Sequence, residues 1–103
     1  MRLIVERIRP ERIILFGSYA YGQPDEHSDF DLLIVRRGIR SEAESDLEIR
    51  RLLWEVPARR PPMTILSKTP ERLAERLREH SPFYEEILSK GVELYAAEGL
   101  QRE

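Results

Sequence analysis

The sequence contains no cysteine, which excludes disulfides and thiolate metal centres and agrees with a reducing compartment. It also lacks any apolar run near the roughly 18 residues that a membrane span needs. No apolar signal-peptide core opens the chain. There are two histidines, His27 and His80. No second histidine stands near His27 to share a metal, so it reads as a loop residue. An excess of one charge is missing as well. Seventeen Lys and Arg against nineteen Asp and Glu leave a formal net charge of −2. No global field is available to hold nucleic acid, and direct nucleic-acid binding is not expected. These absences describe a soluble, cytoplasmic protein with no membrane partner.

What is present suits one globular domain. The 103 residues are 41% hydrophobic and 35% charged, enough to bury a modest core without covalent staples. Ile4 and Ile8 lie four apart, predicting a short helix from Met1 to Arg9 that Pro10 stops. "RIILF" (Arg12 to Phe16) is a β-branched run ending at Gly17 and reads as a first strand. "GSYAYG" offers Ser18 as a helix N-cap and Gly22 as a stop. Gln23 to Ser28 is polar, contains Pro24 and reads as a loop. Asp29 to Val35 forms a second strand, and its uniformly apolar end, Leu32 to Val35, predicts cover on both faces.

The second half continues the alternation. Ser41 and Glu44 make a capping box for a helix carrying Ile49, Leu52, Leu53 and Val56 and ending before Pro57. "ARRPP" (Ala58 to Pro62) is a rigid basic connector, and Met63 to Ser67 a third strand. Thr69-Pro70 opens a helix with Leu73 and Leu77 on one side. Ser81-Pro82 opens another through Phe83 and Ile87, halted at Gly91. "VELY" (Val92 to Tyr95) reads as a last short strand. The fold class expected is α+β: a small mixed sheet of three to four strands, backed by helices around an αβαβαβ core.

"HSDFDLLIV", His27 to Val35, puts two acids at the mouth of an apolar strand. In a strand, residues two apart share a face at roughly 6.6 to 6.8 Å along the chain. Asp29 and Asp31 can then aim their oxygens at one spot while Phe30 turns to the other layer. Converging carboxylates suit Mg²⁺, which prefers oxygen ligands and shares its shell with substrate phosphates. Where two such ions work together they lie about 3.5 to 4 Å apart, a gap such a pair can bridge. Gly17-Ser18, at a strand-to-helix turn, can bring backbone amides and a hydroxyl to the same phosphate. Each part also has a plain structural use. Acids at a strand start are commonly solvated, Gly-Ser commonly caps a helix, and Tyr19 and Tyr21 are read as packing residues. Arg36, Arg37 and Arg40 read as a solvated loop, with a triphosphate tail or a partner surface as the other use.

The combination is more specific than its parts. "GSYAYGQPDEHSDFDLLIV" has the form G-S-x-x-x-G, six residues, then D-x-D and an apolar strand. It resembles the minimal nucleotidyltransferases (MNT proteins) of the DNA polymerase β superfamily, over most of the chain. The resemblance implies transfer of a nucleotidyl group, commonly AMP from ATP, to a hydroxyl, with two Mg²⁺ ions as cofactor. By matching positions, Gly17 and Ser18 would hold the β- and γ-phosphates, and Asp29 and Asp31 the metals as the catalytic pair. Many small MNT proteins pair with a HEPN protein, an all-helical RNase toxin, as its antitoxin. In some, AMP is added to a tyrosine of that toxin.

One position departs from the family. A third carboxylate is usual on the next core strand, five residues before the threonine of a "TPE"-like turn. Counting back from Thr69 in "PPMTILSKTPE" gives Thr64. A threonine hydroxyl does not ionise near neutral pH, so it is a poor metal ligand and no general base. Losing a general base costs typically about 10²- to 10⁴-fold in rate. Asp25 and Glu26 on the loop, and Asp46 and Glu48 on the outer helix, are not obvious substitutes. Three readings follow: an MNT-type antitoxin that adenylylates its HEPN partner, a degenerate member that masks the partner by binding, and an unrelated α+β binding domain.

Overall fold

Prolines, caps and a few positive-φ residues set the element boundaries in the computed structural model, which describes residues 2–22, 30–55 and 63–97. Helix α1 (Arg2–Ile8) ends where Arg9 takes φ 53° ahead of Pro10. Strand β1 (Arg12–Phe16) and the short helix α2 (Ser18–Tyr21) follow, then strand β2 (Phe30–Val35). Helix α3 (Glu42–Trp54) is opened by Ser41, whose hydroxyl accepts from the Glu44 amide at 3.2 Å, satisfying one of the orphan donors of the first turn. Strand β3 (Met63–Lys68) leads into α4 (Pro70–Arg78), capped by Thr69 accepting from the Arg72 amide at 3.0 Å. Helix α5 (Pro82–Lys90) and strand β4 (Val92–Ala96) complete the order. The expected His27, Val56 and "ARRPP" positions lie outside the described residues.

The four strands form one mixed sheet in the order β3-β2-β1-β4. β1 runs antiparallel to both β2 and β4, while β2 and β3 are parallel. Alternation along the strands divides the core into two layers. Ile13, Leu32, Ile34 and Ile65 meet Ile4 and Ile8 of α1 and Ile49 and Leu52 of α3. On the opposite face Ile14, Phe16, Leu33 and Val35 meet Leu73 of α4 and Tyr84 and Ile87 of α5. Leu32 to Val35 are all buried, as the uniformly apolar run required. The small mixed sheet backed by helices is therefore the architecture expected from the alternation of patterns.

Several details differ from the sequence reading. Ser18 is the first residue of α2, and Gly17 is its N-cap, at φ 77° and ψ −159°. Only glycine enters that region without a Cβ penalty, so the glycine takes the bend and the serine follows it. Phe83 does not face inward. The buried residues of α5 are Tyr84 and Ile87, so of the two residues named for this helix Ile87 packs on the sheet and Phe83 is exposed. Nor is Asp46 on an outer face: its carboxylate accepts from the Ser67 amide at 2.8 Å. Arg36 is not a solvated loop residue either. It donates to Ser45 at 3.1 Å and to Glu48 at 2.9 Å, and Ser45 donates on to the buried Ser67 at 2.9 Å. Arg37 pairs with Glu11. These bonds pin α3 to the sheet end opposite Asp31.

Candidate functional site

At the C-terminal end of β1 the chain turns on Gly17 into α2. Phe16, the last residue of β1, pairs with Asp31 of β2, and Asp31 stands in register beside Thr64 of β3. The three therefore form a row across three adjacent strands, about 4.8 Å apart from strand to strand. They share the face that α5 covers, but α5 leaves Asp31 and Thr64 only half-buried.

Gly17 closes the corner. A side-chain carbon at this residue would fall inside the Asp31 carboxylate, overlapping its Oδ2 atom. The backbone at the bend is thus pressed against the acid, an approach that no other residue type permits. Ser18 is exposed, and its hydroxyl makes no hydrogen bond among the described residues, because the capping position that would have engaged it belongs to Gly17. Ser18 directly follows the Gly17 backbone that approaches Asp31. A carboxylate beside amide and hydroxyl donors suits a phosphate that arrives with its own cation.

Tyr21, at the end of α2, reaches back to the same corner. Partial burial raises its phenol above the usual tyrosine range. A hydrogen bond from the Gly17 backbone opposes that, and the charges of Glu86 and Asp31 add to it. The neutral phenol is favoured chiefly because partial burial disfavours the charged form, and the two acids add to this. Tyr19 behaves as expected and packs on Phe30, with ring centroids 5.4 Å apart.

Of the residues singled out in the sequence, the fold brings Gly17, Ser18, Asp31 and Thr64 to one corner. Asp29 lies outside the described residues, so its place there is not described. Among the described residues, no group of three His, Cys, Asp or Glu side chains gathers as a metal site, and none of the described helices is long and apolar enough to cross a membrane. Sequence reasoning missed Tyr21, Glu86 and Phe83 as neighbours of the corner. Glu86 and Phe83 arrive from a helix more than fifty residues downstream of Asp31, and no spacing rule links them to the D-x-D segment.

The G-S bend thus lies against an acid at the start of a central strand. The model of the nucleotidyltransferase domain matches residues 1–101, and the chain belongs to that family. No curated protein matches it. Among solved structures, it resembles a chain in the crystal structure of a mutant of the toxin-antitoxin MntA-HpeT. The likeness has a TM-score of 0.56 at 17% identity and covers 94% of this chain and 70% of that one. At that identity the resemblance speaks for the fold.

Proposed function

We propose that this domain binds a Mg²⁺-nucleoside triphosphate at the Gly17-Asp31-Thr64 corner and serves as the antitoxin of a HEPN RNase toxin. In this reading it transfers AMP from ATP to a tyrosine hydroxyl of that partner. The observation that carries the proposal is the contact of the Gly17 backbone with the Asp31 carboxylate, in register beside Thr64. It makes a bend for phosphate and an anchor for cation adjacent. The solved neighbour supports the toxin side: it is a toxin-antitoxin pair, and its mutant replaces two aspartates spaced two apart by glutamate. That spacing is also the spacing of Asp29 and Asp31.

The residues present fit Mg²⁺ in one respect. The ion is commonly held by one or two carboxylates, with phosphates and water completing its shell. Asp31, joined by Asp29, would hold it, and Mg²⁺ would neutralise the triphosphate. Gly17 and Ser18 would orient the β- and γ-phosphates through backbone amides and the serine hydroxyl. Transfer joins the acceptor's phenolic oxygen to the α-phosphorus and breaks the bond from that phosphorus to the β-phosphate bridge. Pyrophosphate leaves, and the phenolic proton passes to water.

Thr64 supports a second reading. It occupies the strand position beside Asp31, where the family resemblance places a third carboxylate, and it brings no charge there. A binding-only antitoxin that masks its partner is the outcome if transfer fails. Incubation with labelled ATP, Mg²⁺ and the toxin decides between them. Label on the toxin with wild type and none with Asp31→Asn establishes transfer. Tight toxin binding without label, converted to labelling by Thr64→Asp, establishes the masked form. Neither binding nor labelling refutes both.

A further inference from the structure

Phe83 sits in the first turn of α5 with 52% of its surface exposed, while its neighbour Tyr84 is buried. Its orientation is nevertheless fixed. The ring stands perpendicular to that of Phe16, with centroids 5.8 Å apart. It also meets the Tyr84 ring at 5.1 Å and 80°. Perpendicular pairs at such distances are the preferred aromatic geometry, so two buried rings hold a third half in solvent.

The position of that ring is set by Phe16. Phe16 is the strand partner of Asp31 and the residue before Gly17, so the ring that Phe83 meets belongs to a residue bordering the corner assigned above to the triphosphate. Its exposed helix neighbours are Pro82, Glu85 and Glu86, and the two acids interrupt any apolar docking patch around the ring. A flat, oriented, half-exposed ring beside a phosphate site matches the surface on which nucleobases stack.

We propose that Phe83 is the stacking platform for the nucleobase of the bound nucleotide. The inference rests on the reading of the corner as a Mg²⁺-triphosphate site and adds the base subsite to it. Because every base has a π-face, Phe83 supplies affinity rather than base choice.

The test compares Mg²⁺-ATP with Mg²⁺-tripolyphosphate, which has the phosphates but no base, by titration calorimetry. Phe83→Ala is expected to weaken ATP roughly 5- to 100-fold, the range for loss of one stacked base, and to leave tripolyphosphate unchanged. Retained tripolyphosphate binding also shows that the variant has folded. The second variant is Phe83→Trp in a Trp54→Phe background. It is expected to keep ATP affinity, and its introduced indole should be quenched by ATP but not by tripolyphosphate. Equal effects of Phe83→Ala on both ligands, or no quenching by saturating ATP, overturn the stacking role while leaving the triphosphate site standing. Failure of wild type to bind either ligand overturns the site, and the stacking role with it.

Discussion

At the scale of single residues, Gly17, Asp31, Thr64, Tyr21 and Glu86 define the corner through one short contact and two charges. Gly17→Ala places a Cβ both at positive φ and inside the Asp31 carboxylate. That backbone region, essentially confined to glycine, alone costs roughly 1–3 kcal/mol for another residue, so urea unfolding should show at least that loss. Thr64→Asp sets two carboxylates side by side, and like charges across strands destabilise by roughly 0.2–1 kcal/mol. Repulsion raises their folded-state pKa. The added acid therefore costs nothing below the ordinary carboxylate range and destabilises as pH rises through and above it. Melting at acid and neutral pH in EDTA should show the penalty only at neutral pH, and Mg²⁺ should remove it. Tyr21 follows the same sign. Its neutral form is favoured in the folded state, so its contribution is intact below the usual tyrosine pKa of about 10 and is lost as pH rises through the raised value. Asp31→Asn removes one of the raising charges. The Tyr21 titration, isolated by comparison with Tyr21→Phe, should move down yet stay above the ordinary value, because burial is the larger cause.

Elements were the most legible level in the sequence, for reasons that are local. Ser41 and Thr69 are caps whose bonding partner lies three residues away, so the chain itself carries both halves of the signal. "RIILF" is bounded by Pro10 and Gly17, and β1 has those limits. Where the deciding contact is distant, the reading failed. Asp46 was placed on an outer helix because nothing near it in sequence reveals that β3 offers it an unpaired amide at Ser67. Arg36 was placed in solvent because its partners sit 9 and 12 residues on, across a turn. Phe83 and Tyr84 of α5 are both aromatic, and only the sheet beneath decides that Tyr84 is the one buried. The Asp46 bond gives this level its prediction. A hydrogen bond to a charged group contributes about 1.5–3 kcal/mol. Asp46→Ala should lose that much by denaturant unfolding, without altering any property of the corner around Asp31.

For the whole molecule, the sheet order places the corner at one end and the Arg36-Ser45-Ser67 network at the other. The two apolar layers lie on the opposite faces of the sheet between those ends. Ile49, fully buried between α3 and the sheet, belongs to the layer that does not touch Asp31. Ile49→Ala should cost about 2–5 kcal/mol of stability, while the molecules that remain folded bind nucleotide as wild type does. The G-S bend and Asp31 could be singled out from the sequence because they lie only fourteen residues apart, on the β1–α2 turn and at the start of β2. The row Phe16-Asp31-Thr64 required the pairing of three strands, which the family resemblance implied for Thr64 and the residues alone did not. The most direct measurement is the equilibrium titration of ATP into wild type and Asp31→Asn, with Mg²⁺ and with EDTA. Saturable binding by wild type that needs Mg²⁺ and is lost in Asp31→Asn is the result this account predicts; equal affinity in the two proteins, or binding indifferent to Mg²⁺, contradicts it.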